Sequence, residues 1–297
     1  MAELCGLVPV YKKGGMTSQT VVNRVKRIFG VSCAGHTGTL DPMAEGVLPI
    51  LVGRGVKAGE YLLESDKHYR ATLLLGIDTD TEDVTGKTLA TSDKIPDAAT
   101  VFATARRFEG EILQVPPMYS AIRVGGRRLM ELAREGQTVE REARPITVYS
   151  LGVSQIDGRR YTLDVHCSKG TYIRTLCADI GRALGCFGTM ETLLRTRAAG
   201  ISLEECRTLD EFAEMSEEER NSFVRPVDAL FPVWEALTLP PFYARLAHNG
   251  LEIYLKKIGK TYEEGTRLRL YDEHGFFALA EVRAYEDGLA AKPIKQF

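Results

Sequence analysis

The order in which strand-like and helix-like stretches follow one another constrains this chain most. Residues 146–153 and 161–167 each place apolar side chains at every second position and are joined across Asp157-Gly158. This is the pattern of a half-buried hairpin. No helical stretch separates the two, so strict β–α–β alternation fails and a parallel sheet wound throughout by crossover helices is excluded. Further strands are predicted at 7–10 and 68–75. Helices are predicted at 17–29, 57–64, 98–108, 127–134 and 172–184. In the first, Ser18 is the expected cap, Val21, Val22, Val25, Ile28 and Phe29 form one face, and Gly30 is the stop. The fold class read from this order is α+β.

The character changes near 235–245, where Pro240-Pro241 punctuates the chain. After Gly250 come short β-rich pieces, 267–272 and 276–282, with a turn at 272–275. A boundary near residue 237 follows, dividing the chain into 1–237 and a small β unit, 238–297. A length of 297 residues suits two units of unequal size. With 44% apolar and 26% charged residues the chain can bury a core, which excludes wholesale disorder. The net charge of −2 does not advertise nucleic-acid binding, so any such surface must be local.

No apolar run approaches the ~18 residues of a membrane span. The first residues lack the charged-then-apolar order of an export signal, and the six cysteines form no C-x-x-C pair. They read as reduced thiols of a cytoplasmic protein. Neither H-E-x-x-H nor a Cys/His cluster is present, so no metal site is expected.

Two segments imitate functional motifs. GRGVKA (53–58) follows an apolar run as a dinucleotide fingerprint does, yet no long helix or repeated parallel unit follows it. DTDTEDVTG (78–86) resembles a calcium loop but has Asp83 where glycine is needed, and reads as a solvated acidic turn. Three other segments carry more chemistry. In GHTGTLDP (35–42) two glycines flank His36-Thr37, and Pro42 pushes Asp41 toward an extended conformation. An Asp before Pro also serves as an ordinary turn residue. SDKHYR (65–70) sets Tyr69 among cations at a strand start. CSKGTYIRTL (167–176) places Tyr172 and Arg174 in the first turn of a helix, where free N–H groups favour anions.

In this order, these segments resemble the TruB family of bacterial tRNA pseudouridine-55 synthases. The resemblance runs through 12–30, 35–53, 61–86, 114–122, 139–149, 167–185 and 193–200, and through a tail, 268–282 and 292–297, similar to the small PUA-like β-barrel of that family. It implies a pseudouridine-synthase fold with a mixed, mainly antiparallel sheet flanked by helices. It also implies isomerisation of a T-loop uridine of tRNA, without cofactor or metal, by a monomer that needs no protein partner or membrane. By resemblance Asp41 is the catalytic carboxylate; attack on the sugar, attack on the base and help with proton loss are all compatible with it. Arg174 would keep Asp41 ionised and fix its rotamer. Tyr69 would stack on the extracted base and relay the C5 proton. His36 would fill the vacated space, Leu193 line the base pocket and Lys57 contact phosphate, with Tyr172 also in the substrate site.

A basic RNA face is expected from Arg123, Arg127, Arg128, Arg134, Arg141 and Arg144 together with Lys12, Lys13, Arg24 and Lys26, with the acidic 204–219 stretch turned away. The chain departs from the family pattern at Tyr11-Lys12-Lys13 (usually Asp-Lys-Pro), Phe187-Gly188-Thr189 (Gly-Ala-His) and Leu193-Leu194-Arg195 (Leu-Arg-Arg). Three other functions compete: an RNA chaperone without activity, a dinucleotide-dependent oxidoreductase, and a synthase guided by a separate RNA. A chaperone role added to the enzyme is also compatible with the sequence.

Overall fold

The apolar run at 47–52 becomes the body of a strand, Glu45–Val52, in a computed structural model that describes residues 4–297. Leu48, Ile50 and Val52 enter one apolar cluster, and Val47 and Leu51 enter another on the opposite face. A strand covered on both sides needs no polar alternation, hence the continuous run.

This strand sits inside a ten-stranded sheet. Eight strands run in the order Arg207–Thr208, Gly6–Lys12, Glu45–Val52, Gly188–Ala198, Lys67–Leu75, Arg160–Cys167, Arg144–Gln155, Gly110–Gln114. Ala34–His36 pairs with Glu45–Val52, and Ile201–Ser202 with Gly188–Ala198, as side branches. The pairings of Gly6–Lys12 with Arg207–Thr208 and of Glu45–Val52 with Gly188–Ala198 are parallel; the others are antiparallel. The sheet is therefore mixed and mainly antiparallel. Helices Ser18–Phe29, Ala98–Arg106 and Ile173–Ala183 cover the face bearing Val8, Leu73 and Leu163.

Local departures from the expected elements have physical causes. Helix Ser18–Phe29 is capped by Thr17, whose hydroxyl accepts from the Thr20 N–H at 3.1 Å. Ser18 is instead buried against Leu40. Gly30 does end the helix, at φ 63°. The helix expected at 57–64 divides into a 3-10 turn, Gly53–Ala58, and a short helix, Gly59–Leu63. The glycines of GRGVKA are packing glycines: a Cβ on Gly55 would lie 2.8 Å from the Gly6 carbonyl oxygen. With no parallel β–α–β unit around it, this segment carries no dinucleotide site. Arg127–Arg128 pairs with Arg123–Val124 in a small hairpin, so the helix there spans only Leu129–Arg134.

A second sheet has five strands in the order Glu235–Thr238, Arg267–Asp272, Gly275–Tyr285, Gly288–Gln296, Ile253–Tyr254. Helix Pro241–His248 packs on it, with proline at its start, where no N–H is needed. The sheet begins at Glu235, so its first strand crosses the boundary expected at 237. Its Leu279 joins Leu7, Leu51 and Phe231 behind the large sheet, giving the two units a shared apolar seam. The whole is α+β, with a curled sheet of the PUA-like kind at the C-terminal end.

Candidate active site

Asp41 lies on the loop between Ala34–His36 and Glu45–Val52, where Glu45–Val52 and Gly188–Ala198 meet over only two residue pairs. Gly46 permits this approach. It has φ 104°, and a Cβ there would lie 2.2 Å from the Arg195 carbonyl oxygen.

Two buried cations hold the loop by its carbonyls. Arg195, 1% exposed, donates to Val47 O at 2.7 Å, Gly38 O at 3.1 Å and Thr39 O at 3.4 Å. The Lys12 ammonium, fully buried, donates to Ala44 O at 2.5 Å and Pro42 O at 3.1 Å. Between them the Ser18 hydroxyl accepts from the Leu40 N–H at 2.9 Å and donates to the Leu40 carbonyl at 3.0 Å. Burial lowers the Lys12 pKa to about 8, against the pull of Glu45 and Asp41.

Arg174, in the first turn of helix Ile173–Ala183 and 5% exposed, meets Asp41 with a two-pronged contact. Nε lies 2.9 Å from Oδ2 and Nη2 donates to Oδ1 at 3.3 Å. Its remaining donors reach Tyr119 O at 3.0 Å and Thr81 O at 3.1 Å. Nη1 also lies 3.6 Å from Oδ2 of Asp83, which is itself 4% exposed. One guanidinium thus serves two carboxylates. Burial raises the pKa of Asp41; Arg174 pulls it back, and Asp83 pushes it further up.

Asp83 corrects the reading of 78–86 as a solvated turn. Its Oδ1 accepts from the Thr81 hydroxyl at 2.9 Å, the Thr85 N–H at 2.9 Å and the Thr85 hydroxyl at 2.5 Å. The preceding Glu82 has φ 62°, unusual for a residue with a side chain. It is tied by Thr175 and Arg182, which holds the turn in the conformation that presents Asp83. The threonines two places either side of Asp83 are the local sign of such a turn.

Tyr69 (strand Lys67–Leu75) is 9% exposed and sits on the same sheet face as Leu193 and Arg195, its register partner. Burial raises the phenol pKa, and the Arg195 guanidinium against it works the other way. His36 is held neutral near pH 7, because burial and then Arg195 lower its pKa. Tyr172 caps the Arg174 helix; its N–H donates to Gln114 Oε1 at 2.8 Å, and Gln114 Nε2 donates to its carbonyl at 3.1 Å. That N–H is therefore not available to an anion. The charge of Asp41 reaches both Tyr69 and Tyr172. Lys57 stands apart: it donates to Gln296 O on the last strand at 2.9 Å.

The expected basic face is divided. Lys12 is buried in the loop clamp, while Lys13 and Arg24 both pair with Asp210, at 2.8 and 3.1 Å. The acidic stretch therefore meets those cations instead of facing away. Of the expected arginines, Arg123, Arg127, Arg128, Arg134 and Arg144 are exposed, Arg127 pairing with Glu135, while Arg141 is half-buried and donates to Pro116 O at 2.9 Å.

The architecture is that of the pseudouridine synthases. One protein of a Cbf5–Nop10–Gar1 complex superposes with TM-score 0.70 at 24% identity, over 98% of this chain and 84% of its own. A chain of an archaeal box H/ACA Nop10–Cbf5 complex gives TM-score 0.70 at 24%, over 98% and 85%.

The chain belongs to the TruB family of pseudouridylate synthases and is an isomerase. Residues 26–173 match the TruB family pseudouridylate synthase N-terminal domain, and 174–232 the tRNA pseudouridylate synthase B C-terminal domain. It is 43% identical over 271 residues to tRNA pseudouridine synthase B of Burkholderia pseudomallei, spanning 91% of this chain and 90% of that one. The enzyme of the same name from Francisella tularensis subsp. novicida is 39% identical over 283 residues, 94% and 91% of the two chains. The Asp41–Arg174 contact joins the two matched segments.

Proposed function

We propose that this enzyme converts the uridine at position 55, in the T loop of tRNA, to pseudouridine. The N1–C1′ bond breaks, the base turns, C5 bonds to C1′, and the C5 proton leaves. The two-pronged Asp41–Arg174 contact carries the proposal: a buried guanidinium orients a carboxylate that remains 31% exposed and so open to a substrate, as the glycosidic exchange requires.

The uridine must leave its stack to reach Asp41. His36 fills the space it vacates, Leu193 lines the pocket, and Tyr172 closes its side. Tyr69 stacks on the base, and its neutral phenol relays the C5 proton. Lys57 and the arginines around 123–144 contact phosphates, so tRNA affinity falls as salt rises; a flat salt response sinks that assignment. Residues 1–237 do the chemistry and 238–297 assist RNA binding. The enzyme works as a monomer in the cytoplasm without cofactor or obligatory protein partner, and adds a tRNA-folding role. No helix among the described residues is long and apolar enough to cross a membrane.

The test is tritium release from C5-labelled uridine in an unmodified tRNA transcript, followed by mapping of the modified position. Release by the native enzyme and none by Asp41→Asn is the expected result. Equal release by both removes Asp41 from the chemistry. Remodelling of tRNA by an inactive Asp41→Asn supports the folding role.

A further inference from the structure

On the face of the sheet opposite Tyr69, strands Lys67–Leu75 and Arg160–Cys167 place His68 directly across from His166. The two imidazoles lie face to face, centroids 4.0 Å apart and planes 13° from parallel. Asp66 completes the group. Its Oδ2 hydrogen-bonds His166 Nε2 and lies 4.0 Å from His68 Nε2. One ligand atom from each residue falls within 4.8 Å of the other two. All three remain open to solvent, with side-chain exposures of 37%, 29% and 51% for His68, His166 and Asp66.

A structural Asp–His hydrogen bond needs one histidine. The second, stacked on the first with its Nε2 turned to the same carboxylate oxygen, has no such purpose. With the rings turned out of the stack, one divalent ion can take a nitrogen of each imidazole together with the carboxylate, since these atoms already lie within 4.8 Å of one another. We propose that Asp66, His68 and His166 bind one borderline divalent transition-metal ion, of the zinc, cobalt or nickel type, with solvent completing a four-coordinate shell. Two imidazole donors disfavour magnesium and calcium, which take oxygen ligands. Arg197, opposite His68 in register, opposes the ion with a like charge and limits its affinity.

The site takes no part in the isomerisation. It staples two neighbouring strands, one carrying Tyr69 on its other face and the other leading into the Arg174 helix. Linear motifs do not reveal it, because Asp66 and His166 are 100 residues apart along the chain.

The test uses untagged, chelator-treated full-length Cys33→Ser protein, which removes the exposed thiol as a rival ligand. Zinc chloride is titrated by calorimetry and thermal unfolding, and cobalt chloride by visible absorption. One zinc per chain, a rising melting temperature and a cobalt spectrum with nitrogen ligation are expected, with magnesium giving no shift. His68→Ala and Asp66→Ala should each weaken zinc binding by more than the roughly 10- to 100-fold loss typical of a removed outer partner, while circular dichroism and tritium release stay unchanged. If His68→Ala does not fold, His68→Gln serves in its place. The proposal is overturned by zinc binding that does not saturate at one equivalent, that is unchanged in the His68 variant, or that follows the other Asp–His pair, His248 Nε2 and Asp272 Oδ2 at 2.8 Å, instead.

Discussion

Two buried arginines stand close to the Asp41 loop and do different work. Arg174 faces the carboxylates of Asp41 and Asp83. Arg195 donates to backbone carbonyls, at Gly38, Thr39 and Val47, and its guanidinium also stands against the Tyr69 phenol. The first is an ion cluster whose charge balance tunes the Asp41 carboxylate. The second is a bracket that sets where that carboxylate stands. A buried guanidinium is costly unless its donors are taken up, and this protein meets the requirement in two ways according to the task.

The contrast can be broken from either side. Asp41→Asn keeps the shape and removes the charge. Activity should fall by about 10²- to 10⁴-fold or more, the range for losing a positioned proton-transfer or nucleophilic group, with melting temperature little changed. Arg174→Lys removes the two-pronged contact but keeps a cation. A loss of about 10²-fold in kcat is expected, and a variant with native kcat would show that the guanidinium geometry is irrelevant.

Arg195→Met should act on stability first. It leaves loop carbonyls without donors, at about 1–3 kcal/mol for each buried group, so denaturant midpoints should drop while the acid limb of the activity profile stays in place. Asp83→Asn is the sharper, smaller probe. The Asp83 charge raises the Asp41 pKa, so neutralising it should move the acid limb of kcat/KM to lower pH. Movement upward would contradict the cluster as described.

Lys12 yields the smallest signal and a defined sign. Its folded pKa, about 8, lies below the unfolded value near 10.5. Between these values the unfolded chain binds more protons, so this group makes the protein more stable as pH rises through that window. Native protein should therefore gain stability between pH 8 and 10 relative to Lys12→Met; a parallel pair of curves would remove Lys12 from the balance.

What the sequence reveals follows the range of the interactions involved. Helix Ser18–Phe29 and the Arg144–Gln155 and Arg160–Cys167 strands are legible from periodicity, because burial of one face is a local pattern. Asp41, Tyr69 and Arg174 stand out as candidates through their family segments. Asp83 does not: its burial depends on Arg174 and on a turn docked against Gly188–Ala198, through Met190. Lys12 reads as a surface cation, and Arg195 as no more than a departure from the family pattern, for the same reason. Their acceptors are carbonyls of a loop 148–157 and 30–32 residues away, and a carbonyl leaves no mark in composition. Lys13 and Arg24 lose their free charge to Asp210, a pairing that only the folded chain makes.

Gly46 shows what such packing means for inheritance. It bears no functional atom, and the strand behind it leaves no room for even a methyl group. Among all single-residue replacements in this chain, those at position 46 should be rejected as uniformly as those at position 41. A lineage could redraw the arginines of the exposed 123–128 hairpin many times before it changed this one hydrogen.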